Sequence, residues 1–310
     1  MSQIFSIKDD NSKITIESIF SDDGSILKKG YTSLVPINIG DDTFLFAYNK
    51  TTQKIDVYTL YDKEPWIKLK KSDVGLSGNT WDTLNTFVLG NNPYLLTYQK
   101  DNGTFGIYQV TEDLFLSNPY LLRLTRGTPT DGFTTVAPFT SLGQQYFLGY
   151  NFDTGTVTSF KIVVETSSEK GSLPLRALNI WYHQWAKNWT HFSFFKMGDS
   201  NFFFKINTGK LNVNIDHIQD DPSKGTIEVG SHLQNLLPAA LSITNVTKIP
   251  WENDEPHILT YVDVDGSTAI YRIHSDCKGW TKIGDSITPK NASVVLSYRM
   301  SKNPYVLFYG

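Results

Sequence analysis

The sequence predicts an all-β fold: a six-bladed β-propeller of four-stranded blades, its ring closed by N-terminal strands that complete the C-terminal blade. Three observations carry this. An apolar, aromatic strand recurs six times, ending at Tyr48, Tyr98, Tyr150, Ile206, Tyr261 and Tyr309, so that copies stand about fifty residues apart. After the first five of these comes a turn and a second alternating strand, as in Asn92-Pro93-Tyr94-Leu95-Leu96-Thr97-Tyr98, then Asp101-Asn102-Gly103, then Phe105-Gly106-Ile107-Tyr108. The sixth copy stops at Gly310, and its missing strands stand at the other end, where Gln3-Ile4-Phe5-Ser6-Ile7 resembles residues 106–110 and residues 14–19 alternate again. Closing the ring in this way leaves no open sheet edge.

Four strands fill each repeat. The second strands are Phe44-Leu45-Phe46-Ala47-Tyr48 and its counterparts, and the third strands include residues 54–60, 157–162, 211–215 and 269–273. The turns between them hold Asn102-Gly103, Thr154-Gly155, Thr208-Gly209 and Asp265-Gly266, residue types that tolerate positive φ. First strands are expected to begin at Tyr31, Trp81, Phe133, Trp189, Ala239 and Ala292. Fourth strands are expected at residues 14–19, 66–69, 121–124, 177–180, 226–229 and 280–283. The repeat predicts one domain over residues 1–310.

Composition narrows the function classes. The 40% hydrophobic and 14% aromatic content suits a large core of strands. Net charge is −3 and the densest basic run is Lys68-Leu69-Lys70-Lys71, so the electrostatic footprint of a nucleic-acid binder is missing. No apolar stretch approaches a membrane span, and the N-terminus lacks a basic region followed by an apolar run. A soluble protein is expected, cytoplasmic or released without a classical signal peptide. Cys277 is the single cysteine, which excludes an intrachain disulfide and a cysteine metal site. The six histidines lack zinc-site spacing, and Asp263-Val264-Asp265-Gly266-Ser267 fails as a calcium loop because His274 stands where a bidentate Glu belongs. Neither metal nor cofactor is expected.

Function is expected on the rim that carries the longer inter-blade connections, since loops on a rigid scaffold commonly carry it. The richest segment is Ile180-Trp181-Tyr182-His183-Gln184-Trp185-Ala186-Lys187-Asn188-Trp189-Thr190-His191. Its indoles and imidazoles place stacking faces beside hydrogen-bonding groups, which suits a sugar ring or another small, partly apolar ligand. Trp185, His183, Tyr182, Trp189, Trp81 and His191 are the candidate ligand-binding residues. A packing role competes, with the aromatics of this segment filling the junction of blades four and five, and the junction series Tyr31, Trp81, Phe133 and Trp189 is regular enough to be structural. Trp66 and Trp280 read as packing residues. Asp82, His191 and Glu228 could meet near the central channel as an acid–base group. Nucleophile-elbow, phosphate-loop and zinc-protease motifs are absent.

At Asn188-Trp189-Thr190-His191-Phe192-Ser193-Phe194-Phe195-Lys196-Met197-Gly198, followed by Phe202-Phe203-Phe204 and Asn207-Thr208-Gly209, the chain resembles the repeat of the PLL-like bacterial β-propeller lectins. The resemblance implies carbohydrate binding in pockets between blades, by aromatic stacking and without catalysis. Those lectins have seven blades where this chain counts six, and their sites repeat where these inter-blade loops have diverged. Three readings follow: a carbohydrate-binding lectin, an enzyme acting on a small molecule in one pocket at the loop-rich mouth of the channel, and a protein-interaction platform.

Overall fold

The protein is described by a computed structural model over residues 1–9, 14–76, 80–114, 116, 120–121, 132–164, 175–207, 212–230, 243–251 and 256–310. Six antiparallel four-stranded sheets follow one another along the chain. Blade one is Ser33–Ile39, Asp42–Asn49, Lys54–Leu60 and Ile67–Gly75; blade two is Thr83–Leu89, Asn92–Gln99, Thr104–Gln109 and Tyr120–Leu121. Blade three is Thr135–Ser141, Gln144–Tyr150, Thr156–Val164 and Leu175–Gln184; blade four is His191–Met197, Ser200–Asn207, Asn212–Ile218 and Thr226–Gly230. Blade five is Asn245–Ile249, His257–Tyr261, Ser267–Ile273 and Trp280–Ile287. Blade six takes Val294–Met300 and Asn303–Tyr309 from the end of the chain and Ser2–Asp9 and Ile14–Asp22 from its beginning, joined where Gln3 pairs with Phe308 and Ser6 with Tyr305. The closure is therefore the expected one. First strands of neighbouring blades lie against one another and ring the channel. Among the described residues the one helical element is the 3-10 turn Pro222–Lys224, so no helix is long and apolar enough to cross a membrane.

The second strands read as unbroken apolar runs because both faces of a blade are covered. Leu45 and Ala47 point to the core shared with blade six, whereas Phe44, Phe46 and Tyr48 point to the core shared with blade two. The terminal tyrosine of that strand adds a clamp. Tyr48, Tyr98, Tyr150, Tyr261 and Tyr309 each accept, through the hydroxyl, the backbone N–H of the residue opening the next blade: Trp81, Phe133, Trp189, Ala292 and Tyr31, at 2.9–3.3 Å. Such a buried bond contributes roughly 0.5–1.5 kcal/mol. The fourth copy carries Ile206 instead.

That clamp also explains a correction. The residue that opens copies one, two, three, four and six (Tyr31, Trp81, Phe133, Trp189 and Ala292) spends its N–H on the tyrosine, so the first strand begins two residues later, at Ser33, Thr83, Thr135, His191 and Val294. In copy five it begins at Asn245, six residues after the expected Ala239. In the fifth copy the junction position belongs to Ile243, which is buried. Ala239 lies outside the described residues, as do the Thr208-Gly209 turn and most of the connections after blades two and four. The Asp263–Ser267 segment is a hairpin turn, in which Val262 N–H donates to Ser267 O and Gly266 N–H to Val262 O. Cys277 is buried, and burial pushes its thiol up to about 11, which leaves it inert as a nucleophile.

Candidate functional site

The third strand of blade four runs Asn212-Val213-Asn214-Ile215-Asp216. Period 2 sends Val213 and Ile215 into the core shared with blade five and puts the three polar residues on the face toward blade three. Opposite Asn214 on the second strand stands Lys205, and opposite Asp216 on the fourth strand stands Glu228. The ladders fix the equivalent positions in other blades. Where blade four has Lys205, blades one, two, three and five have Ala47, Thr97, Gly149 and Thr260. Where it has Asp216, they have Tyr58, Tyr108, Phe160 and Tyr271.

Those residues explain how an ordinary junction closes. In blade three the ring of Phe133 lies on Gly149 so closely that a Cβ there would meet it at 2.5 Å. In blade two Trp81 covers Gly106 and meets Tyr108 edge-on, with ring centroids 6.4 Å apart. Blade four replaces the small residue and the core aromatic by an ion pair. Lys205 Nζ donates to Asp216 Oδ2 at 2.8 Å, and both side chains are 4% exposed. The ammonium also lies 4.4 Å from the ring centre of Trp185 and 4.8 Å from that of Trp189. Burial pushes the Asp216 carboxyl upward; Lys205 opposes this and the nearby Glu228 adds to it, leaving it raised.

The opposite wall comes from the outer strand of blade three. Alternation places Trp181 and His183 on its inner side, stacked at 5.6 Å, while Tyr182 points away and is 53% exposed. Trp185 follows, stacked on Phe203 at 5.3 Å. The connection that carries it is fastened to the hairpin of blade three: Trp185 N–H donates to Gly155 O at 2.9 Å and Tyr150 Oη–H to Ala186 O at 2.8 Å. From below, Gly225 approaches the indole of Trp181. Its φ is +82°, and a Cβ would stand 2.2 Å from the ring, so only glycine fits. Together these elements enclose a cleft of about 530 Å³ between blades three and four.

Hydrogen-bonding capacity is left over at the floor of this cleft. Asp216 Oδ1, Asn212 Oδ1 and Trp189 Nε1 are buried and have no partner among the described residues. Blade one shows the contrast. Its Asp56, equivalent to Asn214, receives Lys28 Nζ at 2.8 Å, Tyr31 Oη at 2.6 Å and the Asp73 amide at 2.9 Å. Burial alone would push the Asp56 carboxyl up, but these donors together hold it below the usual range. A depressed carboxylate contributes stability that is present above its unfolded pKa and lost as pH falls through the folded one. The deficit of Asp56→Asn in urea unfolding is thus expected to be full at neutral pH and to shrink below about pH 4. A deficit that stays constant down to acid pH would show that the charge plays no part.

Of the six candidate residues, Trp185, His183 and Trp189 line this cleft. Tyr182 faces outward on the same strand. Trp81 is 1% exposed in the core between blades one and two. His191 begins the first strand of blade four, where Nε2–H donates to Thr244 O at 2.8 Å and burial holds its pKa below the usual histidine range. The aromatics of residues 181–189 occupy the junction of blades three and four, not four and five, because the outer strand of blade three ends at Gln184. Asp82, His191 and Glu228 do not meet: Asp82 is bound to Lys50 Nζ at 2.6 Å beside blade two, and Glu228 sits on the outermost strand of blade four. Lys205, Asn212, Asn214 and Asp216 escaped the sequence reading, although a polar face alternating with Val213 and Ile215 in a central strand was visible.

Two other cavities bear on the choice. One of about 270 Å³ on blade five uses the equivalent positions, but Ile243, Thr260, Tyr271 and Lys282 replace Trp189, Lys205, Asp216 and Glu228. The other, about 340 Å³, lies at the channel end lined by Pro36, Asn38, Thr86, Tyr298 and Arg299, with no carboxylate or imidazole in its described lining.

No family model and no curated protein matches the chain. Solved structures do. One from Bacteroides uniformis, provisionally assigned as a 6-phosphogluconolactonase, is 13% identical with a TM-score of 0.54, over 95% of this chain and 84% of that one. A protein from Lactobacillus plantarum is 12% identical with a TM-score of 0.51, over 92% and 81%. An exo-β-1,3-galactanase from Phanerochaete chrysosporium with β-1,3-galactotriose is 8% identical with a TM-score of 0.52, over 98% and 70%. At such identities the likeness carries the fold alone.

Proposed function

We propose that the protein binds a carbohydrate, without chemistry, in the cleft between blades three and four. The observation that carries this reading is the pairing of indole walls with an unpaired buried carboxylate oxygen at the floor, Asp216 Oδ1. A pyranose is amphipathic in the same sense: its C–H face packs on an aromatic ring while its hydroxyls both donate and accept. Hydrogen bonds to a carboxylate are the strong kind and reward a correctly placed hydroxyl. The sugar class is in keeping with the galactanase crystal that holds β-1,3-galactotriose.

The test is a glycan array followed by titration calorimetry. Saturable binding is expected, weakened on the order of tenfold or more by Trp185→Ala, as for an aromatic hot spot. An array without a hit at high protein concentration removes the reading.

A further inference from the structure

We infer that the cleft selects uncharged pyranosides and rejects their uronic-acid counterparts, with Glu228 setting that preference together with Asp216. The inference rests on the carbohydrate reading and narrows it to a substrate class.

The first step is that Lys205 is already committed. Its ammonium is 2.8 Å from Asp216 Oδ2, lies over the faces of Trp185 and Trp189, and belongs to a side chain 4% exposed. It cannot serve as counter-ion to a ligand without abandoning a buried carboxylate, which is among the costliest changes a core can make.

The second step is the polarity of what remains. Asp216 is 3% exposed and its Oδ1 is unpartnered, so the floor presents an acceptor that only a donor satisfies. A sugar hydroxyl donates and an ionised carboxylate does not, so the two classes differ as partners for Asp216 only where C6 is the group presented to it. Trp189 Nε1 is a donor that a hydroxyl, a ring oxygen or a carboxylate meets and a bare ammonium does not, so it excludes amines without separating neutral from acidic sugars. One hydroxyl-bearing neutral ring answers both.

The third step is the second carboxylate. Glu228 is the cross-strand partner of Asp216, and its Oε2 takes the Asn214 amide at 2.5 Å, which fixes the charge toward the cleft. Like charge placed beside such a pair is disfavoured. Lys224 also lines the cleft; it and Glu228 are both exposed, so solvent screens each charge, and Glu228 is the one held in place, by Asn214.

Matched ligands isolate the effect. Methyl galactopyranoside against methyl galactopyranosiduronic acid, and methyl glucopyranoside against methyl glucopyranosiduronic acid of the same anomeric form, each compare a neutral ring with a carboxylate at C6. Calorimetric titration of the full chain at pH 7 is expected to favour the neutral member of whichever pair binds by about tenfold or more. Glu228→Gln keeps the hydrogen-bonding shape and is expected to narrow that gap at least about threefold. Uronic acids binding as tightly as the neutral rings overturn the inference while leaving the carbohydrate reading intact. A wild-type preference that Glu228→Gln leaves unmoved overturns the role given to Glu228. Binding of neither member of either pair, with an array that also shows no hit, overturns both.

Discussion

Lys205→Ala is expected to lower the free energy of unfolding by about 3–5 kcal/mol, because it leaves the Asp216 carboxylate buried without its counter-charge. Exposure decides that magnitude: at 4% for each side chain, water cannot replace the lost partner as it would for a surface pair. The double variant Lys205→Gly with Asp216→Phe is expected to behave in the opposite way. It copies Gly149 and Phe160 of blade three, where a junction aromatic lies on the glycine and a phenylalanine fills the core. Replacing a buried ion pair by apolar residues that pack well is often neutral or stabilising, by roughly 1–4 kcal/mol. The double variant should therefore equal or exceed the wild type in urea while losing ligand binding entirely, since the floor acceptor is gone. A single variant costing under about 1 kcal/mol would show the pair to be solvated and the description of the floor to be wrong.

The same substitution pattern shows why the fold was legible in the sequence and the floor of the cleft was not. Copy number, strand order and ring closure could be read because the apolar second strand and its terminal tyrosine recur with one physical purpose, burial on both faces plus a clamp on the next blade. Tyr98 and Tyr309 do the same work and look the same. The aromatic cluster of residues 181–189 was also conspicuous, as large side chains in a connection usually are. Lys205 and Asp216 were hidden by being ordinary polar residues, and their meaning appears only when the ladders show that Gly149 and Phe160 hold those places elsewhere. First-strand starts in five of the six copies stand two residues later than expected for a related reason: Trp81 and Phe133 have strand-like chemistry, but their N–H groups serve the tyrosine clamp instead of a ladder.

Trp81 and Trp189 occupy equivalent positions in the repeat, so the two tryptophan classes should separate experimentally. Trp81→Ala is expected to cost about 3–5 kcal/mol, the range for deleting a large aromatic from a core. The ring is 1% exposed and lies against Gly106 and Tyr108. It does not line the cleft, which is two junctions away, so the folded fraction of Trp81→Ala should bind glycan with wild-type affinity. Trp185→Ala should show the reverse, a binding loss with a smaller stability loss, because Trp185 is only partly buried and one of its faces is spent on Lys205. Urea unfolding and calorimetric titration on both variants give the four quantities required. If Trp81→Ala weakened glycan binding as much as Trp185→Ala, ligand would have to be contacting the junction of blades one and two, and the assignment of a single specialised cleft would fail. A Trp81→Ala variant that kept full stability would instead mean that this junction repacks, and the regular aromatic series Tyr31, Trp81 and Phe133 would no longer be explained by packing.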